Sequence, residues 1–140
     1  MYQIVIDTNV LVAAMRSNKG ASYRLLDQLG DGRWRPNLTV PLLLEYEAVL
    51  KRNCRHFGLV EQDIDDALDA ICSHAGLHRV YFLWRPAASD PDDDLVLEAA
   101  IASYSDIIVT FNKRDFLGSR QFGIRCMTPR EFLILLGVLR

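Results

Sequence analysis

The chain has 140 residues, of which 50% are hydrophobic and 24% charged, the size and composition of one soluble globular domain. Its apolar runs are too short to span a bilayer, and its N-terminus lacks the basic stretch, apolar segment and cleavage site of a signal peptide. We therefore expect a single cytoplasmic domain over residues 1–140, with no membrane contact. The formal net charge of −2 provides no overall attraction to nucleic acid, although acids and bases cluster separately along the chain.

The three cysteines exclude a full disulfide framework, because they are odd in number and widely spaced. Cys54 and Cys72 each stand two residues before a histidine, at His56 and His74. Neither pair has the spacing of a usual zinc site, and both fall in or beside predicted amphipathic helices. We interpret them as buried thiols and surface histidines.

The first half of the chain alternates strands with helices. Tyr2–Ile6 is a β-branched run typical of a strand covered on both faces. Helices are predicted from there through Met15 and over residues 21–29. A short strand at residues 38–40 precedes another helix, in which Pro41 fits the first position.

The second half continues the alternation, with helices predicted at residues 61–73 and 93–104 and strands at 80–83, 107–111 and 124–126. A last helix begins at Thr128, which serves as the cap, with Pro129 first and Glu131 closing a capping box. Strands that alternate with helices predict a three-layer α/β/α sandwich around a parallel sheet of four to five strands.

Acidic residues follow the predicted strands or lie on helices that can reach the same edge of the sheet. Asp7 comes directly after the first strand, where it could equally be a helix N-cap. Glu45 lies in the second turn of the helix begun by Pro41, where the helix dipole also favours an acid. Asn112 and Asp115 follow the fourth strand and are also spaced as a turn cap.

The run of acids from Asp90 to Asp94 begins the predicted helix at residues 93–104. Asp90 is expected to cap that helix. Asp93 is in phase with an apolar stripe, whereas Asp94 is not; the stripe consists of Val96, Leu97, Ala100, Ile101 and Tyr104. A carboxylate at the head of a buried stripe requires a partner, which a capping box could also provide.

Carboxylates that converge on one sheet edge repel each other unless cations neutralise them, and hard cations such as Mg²⁺ or Mn²⁺ prefer oxygen ligands. Such a centre suits phosphodiester hydrolysis, because bound metal activates water and stabilises charge on the phosphate. The three histidines lie outside the acidic segments, and the sequence contains no Gly-x-Ser-x-Gly elbow or Gly-rich phosphate loop. No other hydrolytic chemistry is indicated.

Taken in order, these segments resemble the PIN-domain family, and most closely its VapC-like toxin components of toxin–antitoxin modules. The resemblance is carried by Val5-Ile6-Asp7-Thr8-Asn9-Val10, Glu45 ahead of Val49-Leu50, Asp90-Pro91-Asp92-Asp93-Asp94 ahead of Glu98-Ala99-Ala100, and Thr110-Phe111-Asn112-Lys113-Arg114-Asp115-Phe116. It implies a metal-dependent endoribonuclease with an antitoxin partner. It also implies catalytic and metal-binding carboxylates at Asp7, Glu45, Asp93 and Asp115, with supporting polar groups at Thr8, Asn9, Thr110 and Asn112. Many relatives have Asp where Asn112 stands, so metal affinity there could rest on Asp115.

Two other folds with acids at a sheet edge fit poorly. A receiver domain requires an acidic pair after the first strand, and a haloacid-dehalogenase phosphatase requires an acid where Asn9 stands. The main alternative is a catalytically silent PIN fold that only binds nucleic acid or protein.

We further expect RNA contacts from four bases and a homodimer through the apolar C-terminal stretch. The bases are Lys51, Arg52, Lys113 and Arg114, and the stretch comprises residues 132–136 with Val138 and Leu139.

Overall fold

The centre of the molecule is a sheet of five parallel strands, seen in a computed structural model that describes residues 1–79 and 91–140, with side chains for 1–79 and 94–140. The strands are β1 (Tyr2–Ile6), β2 (Trp34–Leu38), β3 (Gly76–Leu77), β4 (Ile107–Val109) and β5 (Arg125–Met127). They lie in the order β3-β2-β1-β4-β5, and every neighbouring pair is parallel. From β1, strands β2 and β3 are added on one side and β4 and β5 on the other, so the strand order reverses between β1 and β4. Open parallel sheets bind ligands at such a switch point.

In the described residues, six α-helices and two 3₁₀ segments surround the sheet. The helices are α1 (Thr8–Arg16), α2 (Ala21–Asp27), α3 (Val40–Asn53), α4 (Glu61–His74), α5 (Pro91–Ala102) and α6 (Pro129–Leu135). The 3₁₀ segments are Cys54–Phe57 and Lys113–Phe122. Helix α1 packs on α2 and α3, and α3 packs on α4, whereas α5 packs on β1, β2 and β4 and against the second 3₁₀ segment. The expected α/β/α sandwich with a parallel sheet is confirmed.

The central strands are buried on both faces, as their continuous apolar sequence predicts. The side chains of residues 4–6 in β1 and of all three residues of β4 are buried, so the sheet supplies much of the core. Helix α3 presents Leu42, Tyr46 and Leu50 to this core at a spacing of four residues. Thr39 caps α3 by accepting a hydrogen bond from the backbone amide of Leu42.

The capping box predicted at the start of α6 is confirmed. The Thr128 hydroxyl accepts a hydrogen bond from the Glu131 amide at 3.1 Å, and the Glu131 carboxylate accepts one from the Thr128 amide at 2.9 Å. Both donors lack partners inside the helix, so the reciprocal bonds fix its first turn.

The second strand differs from its predicted position. The strand expected at residues 38–40 is β2, Trp34–Leu38, and Val40 instead begins α3 ahead of Pro41. Pro36 lies inside β2 beside Ile4 of β1, whereas the ladder to β3 starts only at Asn37. The missing amide of Pro36 is therefore tolerated at the end of the β2–β3 ladder. The two-residue strand β3 was not expected, and the strand predicted at residues 80–83 lies outside the described residues.

Three elements end earlier than predicted. Helix α2 ends at Asp27 instead of residue 29. Helix α5 ends at Ala102 instead of residue 104, because Tyr104 has a φ of 52° in the left-handed region. Strand β4 ends at Val109 instead of residue 111, because the chain turns there and the Asn112 amide donates to the Thr110 hydroxyl. Over residues 1–79 and 91–140, no helix is long and apolar enough to cross a membrane.

Candidate functional site

Asp7 and Thr110 meet across the point where the sheet reverses direction. The backbone amide of Asp7 donates to the Val109 carbonyl at 2.9 Å, which carries the β1–β4 ladder one residue beyond β1. The hydroxyl of Thr110 then donates to the Asp7 carboxylate at 2.7 Å. Both side chains are buried. The carboxyl ends of β1 and β4 are thus joined by a hydrogen bond between side chains, as well as by the sheet itself.

The buried carboxylate of Asp7 lies at the N-terminus of α1. Asp7 occupies the N-cap position of α1, but its side chain makes no cap hydrogen bond. Burial raises the pKa of Asp7, and the negative charge of Asp115 raises it further. The Thr110 hydroxyl and the backbone amides of Thr8 and Asn9 oppose this shift without cancelling it. A nearby cation would relieve the unfavourable burial of this charge.

Glu45 is linked by a hydrogen bond to Thr8, the residue that follows Asp7. The Thr8 hydroxyl donates to the Glu45 carboxylate at 2.7 Å, which joins the first turn of α1 to the second turn of α3. The next residue of α3, Tyr46, is fully buried and donates its hydroxyl to the Ile6 carbonyl at the end of β1. Burial raises the pKa of Tyr46 well above its ordinary value, and the charges of Asp7 and Glu45 add to the effect. Both carboxylates therefore act on one hydroxyl.

The remaining expected polar groups lie in the first turn of α1 and in the segment that follows β4. The Oδ1 atom of Asn9 is buried and has no hydrogen-bond partner among the described residues. Asn112 is exposed, and its backbone amide donates to the Thr110 hydroxyl at 2.9 Å. Asp115 is half-buried in the 3₁₀ segment Lys113–Phe122, close enough for its charge to act on Asp7. The structure thus brings Asp7, Asn9, Thr110 and Asp115 to one edge.

These groups fit a hard divalent cation. All of them offer oxygen, and the unpartnered Asn9 oxygen is an acceptor for which the described chain provides no donor. Within the parts of the chain that are described, no three acidic, histidine or cysteine side chains form a cluster that could hold a metal ion by themselves. Mg²⁺ does not need such a cluster, because it keeps several waters and binds through one or two carboxylates. The side chain of Asp93 lies outside the described residues, as does the predicted cap Asp90.

The buried stripe predicted for α5 is only partly observed, because Val96, Leu97 and Ala100 are buried but acids outside the predicted stripe are buried as well. Tyr104, placed in the buried stripe, is 90% exposed, whereas Asp94 is only 4% exposed and Glu98 only 3%. These two acids are one helical turn apart on the helix that packs on β1 and β4. Neither was expected at a buried position. Their i, i+4 spacing inside an otherwise apolar helix is the signal that could have identified them.

Two of the four expected RNA-binding bases are already paired. The Lys51 ammonium lies 2.9 Å from the Asp65 carboxylate, so it bridges α3 and α4. The Lys113 ammonium lies 3.0 Å from the carboxylate of Glu131. The other two, Arg52 and Arg114, have exposed side chains.

Comparison with known proteins agrees with this architecture. No curated protein sequence matches the chain. A chain from the crystal structure of VapBC2 from Rickettsia felis, bound to a DNA fragment from their promoter, superposes with a TM-score of 0.60 at 14% identity, covering 90% of this chain and 98% of that one. At such identity the likeness establishes the fold alone. The family model for the PIN domain matches residues 3–114, a segment that runs from β1 to the start of the last 3₁₀ segment. The chain therefore belongs to the PIN-domain family.

Proposed function

We propose that this protein is a divalent-metal-dependent endoribonuclease that hydrolyses RNA phosphodiester bonds as the toxin of a toxin–antitoxin pair. The observation that carries the proposal is the buried Asp7 carboxylate, held by Thr110 at the switch point of the sheet. A buried carboxylate placed there, with a raised pKa, is typical of a functional site.

The family supports the same chemistry, because PIN domains are generally nucleases that use divalent metal ions. The structural neighbour is, by its description, a VapBC2 complex bound to a promoter fragment. That complex supports an antitoxin partner for this chain. We infer RNA as the substrate from the resemblance of the acidic segments to those of VapC-like toxins. An RNA substrate in turn implies that the protein acts in the cytoplasm.

Each of the predicted site residues has a distinct role in this proposal. Asp7 would hold Mg²⁺ or Mn²⁺ at the carboxyl ends of β1 and β4, with Asp115, Asp93 and Glu45 acting directly or through the waters of the ion, and Asn9 would add a neutral oxygen. The bound ion would activate a water and stabilise negative charge on the phosphate. Thr110 orients the Asp7 carboxylate, and Thr8 orients that of Glu45, as outer hydrogen bonds do around metal ligands.

The test is degradation of a mixed RNA, containing single-stranded and hairpin species, by the purified protein with Mg²⁺, with Mn²⁺ and with chelator. We expect internal cleavage with either metal and none with chelator. Asp7→Asn serves as the control against contaminating nuclease, and it should be inactive in all three conditions. If the wild type binds this RNA but leaves it intact with both metals, the chain is a binding module and the proposed hydrolysis is wrong.

A further inference from the structure

A cleft of about 400 Å³ lies beside the candidate metal site. It is formed by the 3₁₀ segment Lys113–Phe122, strand β5 and the first turn of α6. Phe116 and Ile124 are buried in its floor. Four basic residues line it, namely Lys113, Arg114, Arg120 and Arg125, and the side chains of all four are exposed. The cleft thus combines an apolar floor with a basic rim.

The cleft adjoins the candidate metal site, and charged groups of both act on one side chain. Lys113 and Arg114 stand between Asn112 and Asp115 in the sequence, so the cleft begins where the site ends. Cys126, which also lines the cleft, provides a second link. Burial raises the pKa of Cys126; the positive charges of Lys113 and Arg120 lower it, and the charge of Asp7 raises it. The rim and Asp7 therefore act on the same thiol.

Glu131 is the one acidic side chain among the described residues that line the cleft. Its carboxylate accepts hydrogen bonds from the Lys113 ammonium at 3.0 and 3.2 Å as well as from the Thr128 amide. Glu131 therefore neutralises one of the four bases while it completes the α6 capping box. Arg120, Arg125 and Glu131 all lie beyond residues 3–114, the segment that matches the family model.

We propose that this cleft binds the phosphate backbone of a single-stranded RNA next to the bond that is cut, with Arg120 and Arg125 as phosphate ligands and Glu131 as a charge that limits affinity. The inference rests on the proposed ribonuclease function. Guanidinium groups suit phosphate because they donate paired hydrogen bonds. The geometry supplies a local positive field that the net charge of −2 does not.

The experiment measures binding of a short fluorescent single-stranded RNA by anisotropy, with chelator present and over a range of salt concentrations. Every protein carries Asp7→Asn, so that cleavage cannot interfere. Adding Arg120→Gln and Arg125→Gln should weaken binding about tenfold and flatten the salt slope by about 1.4, since each phosphate contact on a single strand contributes about 0.7. Arg24→Gln with Arg55→Gln removes the same charge from exposed positions outside the cleft and should leave both quantities unchanged.

A substitution of opposite sign separates binding from structural damage. Glu131→Gln removes the acidic charge but keeps an oxygen acceptor for the Thr128 amide, so the capping box is retained. We expect about threefold tighter RNA binding and a salt slope about 0.7 steeper, because Lys113 becomes available to phosphate. If the Arg120/Arg125 variant binds with the same affinity and slope as its parent, or Glu131→Gln weakens binding, the cleft is not the RNA path. If the parent itself binds no RNA and the wild type cleaves none, the proposed function has failed instead.

Discussion

The Thr110 hydroxyl donates a 2.7 Å hydrogen bond to the carboxylate of Asp7 at the point where the parallel sheet reverses direction. Thr110 also accepts a hydrogen bond from the Asn112 amide, so one hydroxyl orients the acid and fixes the turn after β4. The two residues are 103 positions apart in the sequence, and they become neighbours because β1 and β4 pair in the sheet.

Substitution of Thr110 tests whether this hydrogen bond positions Asp7. Thr110→Val retains the size and β-branching of the side chain but leaves the Asp7 carboxylate without its donor. We expect metal-dependent cleavage to fall about tenfold to a hundredfold, the range seen when hydrogen bonds around metal ligands are removed. Thr110→Ser keeps the hydroxyl and should stay within about threefold of the wild type. The measurement is cleavage rate against Mn²⁺ concentration; equal rates for Val and Ser would show that the hydrogen bond has no positioning role.

A pair of neighbouring acids on α3 tests the part played by Glu45. Glu45→Gln removes the negative charge of the carboxylate to which the Thr8 hydroxyl donates. If this carboxylate holds metal, we expect the cleavage rate to drop by about a hundredfold or more. Glu47 is two residues away and pairs with Lys51. Glu47→Gln should change the rate by less than about threefold, because surface ion pairs contribute little. Similar losses from both substitutions would exclude a specific role for Glu45.

The order of the main elements could be predicted because their signals are local. The buried strands β1 and β4 are continuous apolar runs, and α6 begins with a complete capping box. Strand β2 could not be placed correctly, because Arg35, Pro36 and Asn37 have the composition of a loop. Its extended conformation is stabilised by pairing with β1, which is a tertiary contact.

The site was only partly predictable for a related reason. Asp7 and Thr110 follow apolar strands directly, so their common edge could be inferred from the sequence. The phase of α5 could not, because the helix is apolar on most sides, as the burial of Val96, Leu97, Ala99 and Ala100 shows. A helix without a polar face provides no periodicity from which to decide between adjacent acids.

The buried hydroxyl of Tyr46 should stabilise the end of β1. Tyr46→Phe removes the donor to the Ile6 carbonyl, and we expect the free energy of unfolding to fall by about 1–2 kcal/mol. Tyr23 lies exposed on α2, so Tyr23→Phe is a matched control that should change stability by less than about 0.5 kcal/mol. Urea denaturation followed by tryptophan fluorescence measures both. An unchanged midpoint for Tyr46→Phe would mean that the hydroxyl contributes nothing.

The C-terminal stretch is partly buried in the core and partly exposed, so we propose that a homodimer uses only its exposed residues. Phe132 and Leu133 are fully buried, whereas Ile134 is 43% and Leu135 38% exposed. We expect Ile134→Lys with Leu135→Glu to shift a dimer toward the monomer in light scattering at micromolar concentration, because charges disfavour an apolar interface. Val60→Thr, at an exposed position outside this stretch, should leave the dimer intact. A wild type that scatters as a 15.9 kDa monomer contradicts the proposal.

Calorimetric titration of Mn²⁺, combined with thermal melts, tests whether the Asp7 carboxylate holds a divalent cation. Burial raises the pKa of Asp7, so its ionised form destabilises the metal-free protein at neutral pH, and that cost disappears as pH falls below the ordinary Asp pKa. Asp7→Asn should therefore melt at a higher temperature than the wild type without metal at neutral pH. With Mn²⁺ the wild type should bind the ion and melt higher, whereas Asp7→Asn should show neither heat of binding nor stabilisation. Equal Mn²⁺ affinity in the two proteins would show that the Asp7 carboxylate does not hold the ion.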